Sequence, residues 1–228
     1  MRRLMTFLFF IGSGVLTFGL RAEVDHRVSL SVVQVRASAG PGKLLFGSGV
    51  VVGPNRVVTN CHVVRTAHKV AVSKGPNLFP AVSEQADTRH DLCLLATPGI
   101  PFPVAGLGGT ENLSVGQTLY FYGYPRAIGI SFSEGKVAAL HALDGGRVIE
   151  TTANFTLGGS GGGLFDGQGK LVGLATFLNP GHVGNYYAVP AEWIEGLETR
   201  QSRGIEPLPG VSFWEDAMLP AFLKTPGH

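Results

Sequence analysis

The chain has 228 residues, with 18 basic and 16 acidic side chains and a formal net charge of +2. This near-neutral balance, without a basic stripe, argues against nucleic acid as the main partner. Two cysteines are too few for a disulfide framework, so a hydrophobic core must hold the fold, as one domain or two small lobes.

The first 22 residues have the pattern of a secretory signal peptide. Arg2 and Arg3 precede an apolar run over residues 4–20, and a small residue, Ala22, follows it. The alternative is an uncleaved membrane anchor, because the run is close to the shortest that spans a bilayer, about 17 residues. Cleavage would remove three arginines and no acid, leaving 15 basic residues against 16 acidic ones and a formal charge of −1. Both interpretations place the rest of the chain outside the cytoplasm, and cleavage would leave no stable membrane anchor.

Ten short runs of β-branched or alternating residues, separated by Gly, Pro and Asn, predict β-strands. The first series comprises residues 27–37, 45–52, 56–59, 69–72 and 92–96, and the second comprises 118–123, 131–139, 147–153, 170–177 and 185–189. Frequent turn signals and the absence of a long helical period predict an all-β fold, either a sandwich or a pair of barrels.

Two segments lie outside these strands. Residues 97–117 are rich in Pro and Gly and predict a connection between two lobes. Trp193, Ile194 and Leu197 have helical spacing and predict a short helix near the C-terminus. The remaining tail has no clear period, and its aromatic residues predict either docking onto the body of the protein or binding to a partner.

His62 and Asp91 are candidates for an acid–base pair. His62 follows two strands that frame a turn in GSGVVVGPNRVVTNCHVV, and Asp91 directly precedes the apolar strand LCLLA. A neutral imidazole is the usual base for activating a serine, and it needs an acceptor on its second nitrogen. Taken alone, His62 also fits a structural role and Asp91 a turn. Asp87 is a competing acid, in a polar run that predicts a solvated side chain.

The segment TLGGSGGGLFD, residues 156–166, contains the candidate nucleophile Ser160. Glycine inside a regular element costs roughly 0.5–1 kcal/mol relative to alanine, so clustered glycines in a compact chain indicate a geometric requirement. Gly158 can turn its amide inward without a Cβ clash, and the amide of Ser160 would be the second donor to a tetrahedral oxyanion. The segment therefore predicts a backbone bent around a nucleophile rather than a linker.

The same segment also satisfies G-x-S-x-G, the nucleophile elbow of α/β-hydrolases. Elbow enzymes order their triad as serine, acid and histidine. After Ser160 the chain offers only Asp166 or the glutamates within 192–206 as the acid, with His182 or His228 as the base. The strands also lack the intervening helices of a parallel sheet, so the order His, Asp, Ser across two β series fits better.

Metal chemistry is not indicated by the sequence. There is no H-E-x-x-H, and Cys61, His62, His90 and Cys93 lack the spacing of metal ligands. No metal or other cofactor is expected.

Together these segments resemble the trypsin-like serine endopeptidases, and among them the Deg/HtrA branch of bacterial envelope proteases. GSGVVVGPNRVVTNCHVV is similar to that family's segment around the catalytic histidine, HDLCLLA to its aspartate segment, and GGSGGGL to its G-N-S-G-G-P-L serine loop. SVGQTLYFYGYPRAIGISFSEGKVAAL, GKLVGLATF and YYAVP resemble strands of its second barrel. The resemblance runs from about residue 30 to about residue 195.

The resemblance implies a chymotrypsin-like fold of two six-stranded antiparallel Greek-key barrels, with the site in the cleft between them. The expected N-terminal barrel comprises residues 23–108 and the C-terminal barrel 109–190, followed by a helix and tail over 191–228. No PDZ-like domain is expected in that tail.

The resemblance also implies peptide-bond hydrolysis through an acyl-enzyme, with proteins or peptides as substrates and a periplasmic or secreted location. His62 would be the general base, Asp91 its orienting acid and Ser160 the nucleophile, with the amides of Gly158 and Ser160 as the oxyanion hole. Pairing His62 with Asp91 would bring Cys61 and Cys93 near each other, as a disulfide or as two buried thiols.

The implied specificity pocket is lined by two strands and a loop of the second barrel. Its expected residues are Asn154, Thr176, Phe177, Leu178, Tyr186, Tyr187 and Ala188. No acid stands at the expected base, so a preference for Arg or Lys is not expected. Asn154 and Tyr186 replace residues that are commonly smaller in this branch, which predicts a shallow pocket for small or medium apolar side chains.

Two glycines depart from the pattern of the serine loop. Gly159 replaces the Asn or Asp that usually precedes the serine, and Gly163 replaces the usual proline. Both leave the backbone freer and raise the entropy lost on ordering it. A second hypothesis is therefore a non-enzymatic protein on the same barrels that binds unfolded chains or peptides, with an eroded oxyanion hole.

Overall fold

The structure, a computed structural model, describes residues 25–178, Gly184 and residues 186–224. It contains two successive antiparallel β-systems. The predicted signal peptide over residues 1–22 lies outside the described residues, as do His182 and His228. In the described ranges no helix has the length and apolar character needed to cross a membrane.

The first β-system is a seven-stranded sheet. Its strands are β1 (Val32–Ser38), β2 (Leu44–Gly53), β3 (Arg56–Thr59), β4 (Lys69–Lys74), β5 (Asn77–Pro80), β6 (Ser83–Asp87) and β7 (Leu92–Ala96), in the spatial order β5-β4-β1-β2-β3-β7-β6. Its core forms because alternating valines of β1 and β4, such as Val33, Val35 and Val72, turn to one face and are fully buried. The edge strands β5 and β6 were not expected from the sequence.

The second β-system is a closed six-stranded barrel. Its strands are β8 (Thr118–Gly123), β9 (Ser131–Leu143), β10 (Gly146–Thr151), β11 (Gly163–Phe165), β12 (Leu171–Leu178) and β13 (Tyr186–Pro190), in the spatial order β10-β13-β12-β11-β8-β9. Leu119, Phe121, Ile149 and Ala175 fill its interior. The short strand β11 lies within the glycine-rich segment, where the sequence gives no strand signal.

The helical elements are short. Helix α1 is a single turn over Cys61–Val64, and 3-10 helices span His26–Ser31, Pro125–Ala127, Ala191–Leu197 and Ala221–Leu223. The predicted C-terminal helix is thus a 3-10 helix, and a 3-10 helix also replaces the first part of the strand expected over 27–37. It begins there because the Asp25 side chain accepts the Arg27 amide.

A third apolar cluster joins the two β-systems to the C-terminal tail. It includes Val50 and Leu92 of the first sheet, Leu174 and Tyr187 of the barrel, and Phe213 of the tail. The all-β fold class and the expected double barrel are confirmed: the second barrel is closed and six-stranded, and the seven-stranded sheet forms the first as a half-barrel. The shared cluster holds the facing ends of β3, β7 and β12 together, and the candidate site lies there.

Candidate active site

Two backbone features hold His62 and Asp91 against each other. His62 lies in helix α1, directly after β3, and Asp91 lies in the turn that leads into β7, the strand that pairs with β3. Asp91 has a φ of +58°, a left-handed conformation that Asp tolerates better than most residues. The Cys61 amide and the Asn60 side-chain amide both donate to the Asp91 carbonyl, at 3.1 and 3.0 Å.

The Asp91 carboxylate is completely buried and accepts three hydrogen bonds. The His62 backbone amide donates to Oδ1 at 2.8 Å, His62 Nδ1 is 2.6 Å from Oδ2, and the Trp214 indole donates to Oδ2 at 3.1 Å. A buried carboxylate is tolerated when donors of this kind surround its charge. Because Nδ1 faces the carboxylate as a donor, Nε2 is left as the acceptor of a neutral imidazole.

A disulfide crosslinks the two segments that carry this pair. The sulfurs of Cys61 and Cys93 are 2.05 Å apart, and the bridge closes a sequence separation of 32 residues. Since Cys61 precedes His62 and Cys93 lies two residues after Asp91, the crosslink limits their relative movement.

The Ser160 segment turns sharply at glycines for which a side chain has no space. Gly158 has a φ of +88°, and a Cβ there would lie 2.9 Å from the Tyr124 carbonyl oxygen. Gly161 has a φ of +81°, and its Cβ would lie 2.1 Å from the Ser48 carbonyl oxygen. These two positions explain why the turn requires glycine.

Ser48 of β2 connects the first sheet to the Ser160 segment. Its buried hydroxyl donates to the Gly158 carbonyl at 2.7 Å and accepts the Tyr124 amide at 2.8 Å. Its backbone amide donates to the Ser160 carbonyl at 2.8 Å. One serine therefore fixes both sides of the turn, and sequence reasoning did not single it out.

The Gly158 amide, one of the two predicted oxyanion donors, is oriented by a hydrogen bond on the opposite side of its peptide. The Arg126 amide donates to the Leu157 carbonyl at 2.8 Å. In a trans peptide the N–H points away from the C=O, so the Gly158 amide is directed away from Arg126. Throughout the described ranges the amides of Gly158 and Ser160 donate to no protein acceptor. Both are thus available to a ligand.

The Ser160 hydroxyl donates to the Thr176 carbonyl at 3.2 Å. Thr176 lies at a β-bulge of β12, a feature that redirects backbone groups next to active sites. Its hydroxyl accepts a hydrogen bond from the Asn60 side-chain amide at 3.2 Å. Asn60 lies two residues before His62. The barrel strand that meets Ser160 is therefore bonded to the segment that carries His62.

The residues expected to line the specificity pocket fall into two groups. Asn154 and Leu178 are exposed, and Tyr186 packs on Phe155 with ring centroids 5.1 Å apart. Phe177 and Tyr187 instead stack on each other, with centroids 4.9 Å apart, and are almost fully buried. The remaining two, Thr176 and Ala188, are also buried. The structure thus places Phe177 and Tyr187 in the interior, where they stack on each other and do not face open solvent.

The C-terminal tail brings charge to the site. Glu215 and Arg65 form a bidentate ion pair, with Arg65 Nη2 2.6 Å from Oε1. Burial works against ionisation of Glu215, but hydrogen bonds from Arg65 and the Ser212 amide outweigh it, and the pKa of Glu215 is lowered. The ion pair between Arg65 and Glu215 is therefore charged, and Arg65 lies three residues after His62.

Asp87, the competing acid, belongs to a separate cluster. Its carboxylate binds His90 Nδ1 at 2.9 Å and the Arg200 guanidinium, so it is not simply solvated. The Asp87 hydrogen bond raises the pKa of His90, and Asp144 on the other ring nitrogen adds to that shift. Asp87 and His90 thus have hydrogen-bond partners other than His62.

The chain is similar to a known family of peptidases. A family model described as a trypsin-like peptidase domain matches residues 47–174, more than half of the chain. The chain belongs to the trypsin-like peptidase family. The matched range contains His62, Asp91 and Ser160, and it ends before the tail that carries Trp214 and Glu215.

Relatives of this peptidase domain include putative and established serine proteases. It is 29% identical over 179 residues to the putative serine protease HhoA of Synechocystis and 30% identical over 170 residues to the periplasmic serine endoprotease DegP of Escherichia coli. These matches cover 74% and 69% of this chain but only 44% and 36% of the relatives. The chain thus spans less than half the length of these curated relatives.

A solved structure supports the same fold for the peptidase domain. The active form of the Rv3671c protease from Mycobacterium tuberculosis aligns with a TM-score of 0.72 at 25% identity, covering 81% of this chain and 86% of that one. The serine endoprotease from Yersinia pestis aligns with a TM-score of 0.68 at 23% identity, which supports the fold alone.

Proposed function

We propose that this peptidase domain is a serine endopeptidase that hydrolyses peptide bonds through an acyl-enzyme. His62 is the general base, Asp91 its orienting acid and Ser160 the nucleophile. The observation that carries the proposal is the His62–Asp91 pair, in which a fully buried carboxylate holds Nδ1 at 2.6 Å and leaves Nε2 free to accept a proton. Proteins or peptides are the substrates.

In the first step, the Ser160 hydroxyl leaves the Thr176 carbonyl and donates to His62 Nε2. Nε2 takes the hydroxyl proton as Oγ attacks the scissile carbonyl, and Asp91 stabilises the imidazolium that forms. The amides of Gly158 and Ser160 donate to the oxyanion. His62 then gives its proton to the leaving amine, and water repeats the sequence to release the acyl group.

The hydrogen bonds of the loop favour catalysis over the non-enzymatic alternative. Ser48 holds the Gly158 carbonyl and Arg126 holds the Leu157 carbonyl, so the glycine substitutions do not leave this turn without support. Both oxyanion amides lack a protein acceptor in the part of the chain that the structure describes. Measured losses of one such donor cost on the order of 10²–10³ in rate, which makes this support important for activity.

Labelling with a fluorophosphonate tests the nucleophile directly, because the probe reacts with activated serines. We expect the purified protein to be labelled on the peptide that contains Ser160. Ser160→Ala should abolish labelling, and Ser202→Ala, which changes an exposed serine, should not. Equal labelling of the parent and Ser160→Ala, or labelling of neither, contradicts the proposal.

The proposed location is the periplasm or the extracellular medium. Residues 1–22 have the signal-peptide pattern, the Cys61–Cys93 disulfide suits an oxidising compartment, and relatives such as DegP are named as periplasmic. We further propose the division into barrels over 23–108 and 109–190 with a tail over 191–228. N-terminal sequencing of the exported protein should begin at residue 23, and full-length protein confined to the cytoplasm would contradict this location.

A further inference from the structure

The C-terminal tail returns to the proposed active site through a short stretch, residues 212–215, called here the return segment. The Phe213 amide donates to the Arg89 carbonyl at 2.9 Å, and the Phe213 ring is almost fully buried. The Glu215 carboxylate forms the bidentate ion pair with Arg65. The return segment is therefore bonded to Arg89, just before Asp91, and to Arg65, just after helix α1. These contacts lie on both sides of the acid–base pair.

Trp214 of the return segment contacts both members of that pair. Its indole N–H donates to Asp91 Oδ2 at 3.1 Å, and its ring meets the His62 ring edge to face, with centroids 5.4 Å apart and planes at 86°. On its other side the indole stacks on Phe177 of β12, with centroids 5.0 Å apart and planes at 11°. The stacking fixes the ring plane, and hence the direction of the N–H.

We propose that Trp214 is a positioning residue for the His62–Asp91 pair, an inference that rests on the proposed serine endopeptidase function. Oδ2 is the oxygen that also faces His62 Nδ1, so the indole N–H restrains the same atom that orients the imidazole. With His62 N–H on Oδ1, the carboxylate is held at both oxygens and cannot rotate. The catalytic machinery of this chain thus extends beyond the 47–174 match into the tail.

The indole N–H also affects the charge that the imidazole experiences. A hydrogen bond to a carboxylate disperses its negative charge, so removing it increases the attraction of Asp91 for the imidazolium. Among the described residues, Arg65 and Glu215 are charged groups near the pair, and their mutual ion pair leaves little net charge there. Loss of the indole N–H should therefore strengthen the hydrogen bond between His62 Nδ1 and Asp91 Oδ2.

Trp214→Phe removes the N–H and keeps an aromatic ring against Phe177 and His62. Trp193→Phe is the matched control, because its buried indole Nε1 has no hydrogen-bond partner among the described residues and its ring packs near Phe213 in the same cluster. We expect Trp214→Phe to lower kcat about tenfold with KM nearly unchanged, because the change affects the chemical step. Trp193→Phe should leave kcat and KM at the parental values.

Histidine NMR in a Ser160→Ala background gives a readout that needs no catalysis. We expect Trp214→Phe to move the resonance of the His62 Nδ1 proton downfield, because its hydrogen bond to Asp91 becomes stronger, and Trp193→Phe to leave it unchanged. In the protein with both tryptophans, the Trp214 indole N–H should show a nuclear Overhauser contact to the His62 ring. That signal keeps the test valid if Trp214→Phe fails to fold.

The outcomes separate this inference from the proposed function. A His62 Nδ1 proton resonance that does not move in Trp214→Phe, or that moves equally in Trp193→Phe, overturns the positioning role, as does an indole resonance with no contact to the His62 ring. If the parent protein neither labels nor cleaves substrate, but Trp214→Phe still moves that resonance, the function is contradicted and the contact between Trp214 and the pair is established.

Discussion

Ser48→Ala is the most informative single substitution, because one hydroxyl supports the Ser160 turn from the opposite sheet. Its removal leaves the Gly158 carbonyl and the Tyr124 amide without their partners at 2.7 and 2.8 Å. Each polar group left unpaired in a buried place costs about 1–3 kcal/mol, so the free energy of unfolding should fall by about 2–4 kcal/mol, given that Gly158 is partly exposed.

The same substitution should reduce reactivity more than stability alone explains. Without the Ser48 hydroxyl, the Gly158–Gly159 peptide loses one of its restraints, so the turn that links the two oxyanion amides is held less firmly. We expect the rate of fluorophosphonate labelling at Ser160 to fall about 10- to 100-fold, below the full loss of a donor. Urea unfolding measures the first effect, and labelling kinetics under conditions where the variant is fully folded measure the second.

Ser31→Ala is the control for this experiment. Ser31 is also almost completely buried, and its hydroxyl donates to the Val28 carbonyl at 2.7 Å, away from the site. It should lose about 1 kcal/mol of stability and label at the parental rate. If Ser48→Ala labels as fast as Ser31→Ala, then the hydroxyl does not organise the oxyanion turn and the reasoning is refuted.

Three further predictions follow from the structure. Gly158→Ala should label at least about 100-fold more slowly, because its Cβ would press on the Tyr124 carbonyl at positive φ, whereas Gly167→Ala, in open space, should be neutral; equal rates would contradict this. Reduction of Cys61–Cys93 should cost about 3–4 kcal/mol of stability for a loop of this size, measured by urea unfolding with and without reductant, and no change would count against the bridge. Burial raises the pKa of Glu84 to about 7 from an unfolded value of 4.5, so its contribution to stability is present below pH 4.5 and lost by pH 7. Glu84→Gln should therefore make the melting temperature vary less with pH across that window. An unchanged pH dependence of the melting temperature would show that Glu84 is not its cause.

The sequence predicts the strands best where short apolar runs are bounded by turn residues. Residues 45–52, 56–59 and 92–96 became β2, β3 and β7 with close boundaries, because consecutive side chains of these runs are buried. It fails at the edge strands β5 and β6, because β5 has only four residues and β6 is mostly polar, and both pair by backbone hydrogen bonds. The sequence also gives no strand signal for β11, because the segment is rich in glycine.

The candidate site shows a similar division. His62, Asp91 and Ser160 were predicted from their settings and their order in the chain, and the structure bonds the first two directly. Ser48 and Trp214 could not be found in this way, because they act through contacts between residues more than 100 positions apart in the chain. The aromatic tail gave the one signal for Trp214, as a segment expected to dock or to bind a partner.

Cleavage of an unfolded protein tests the central claim most directly, because labelling alone does not distinguish a peptidase from an esterase. A reduced and carboxymethylated protein is incubated with the purified chain or with Ser160→Ala, and the new N-termini are identified by mass spectrometry. We expect internal cleavage by the parent alone, after small or medium apolar residues. Equal cleavage by both proteins, or intact substrate with both, would contradict a Ser160-dependent endopeptidase.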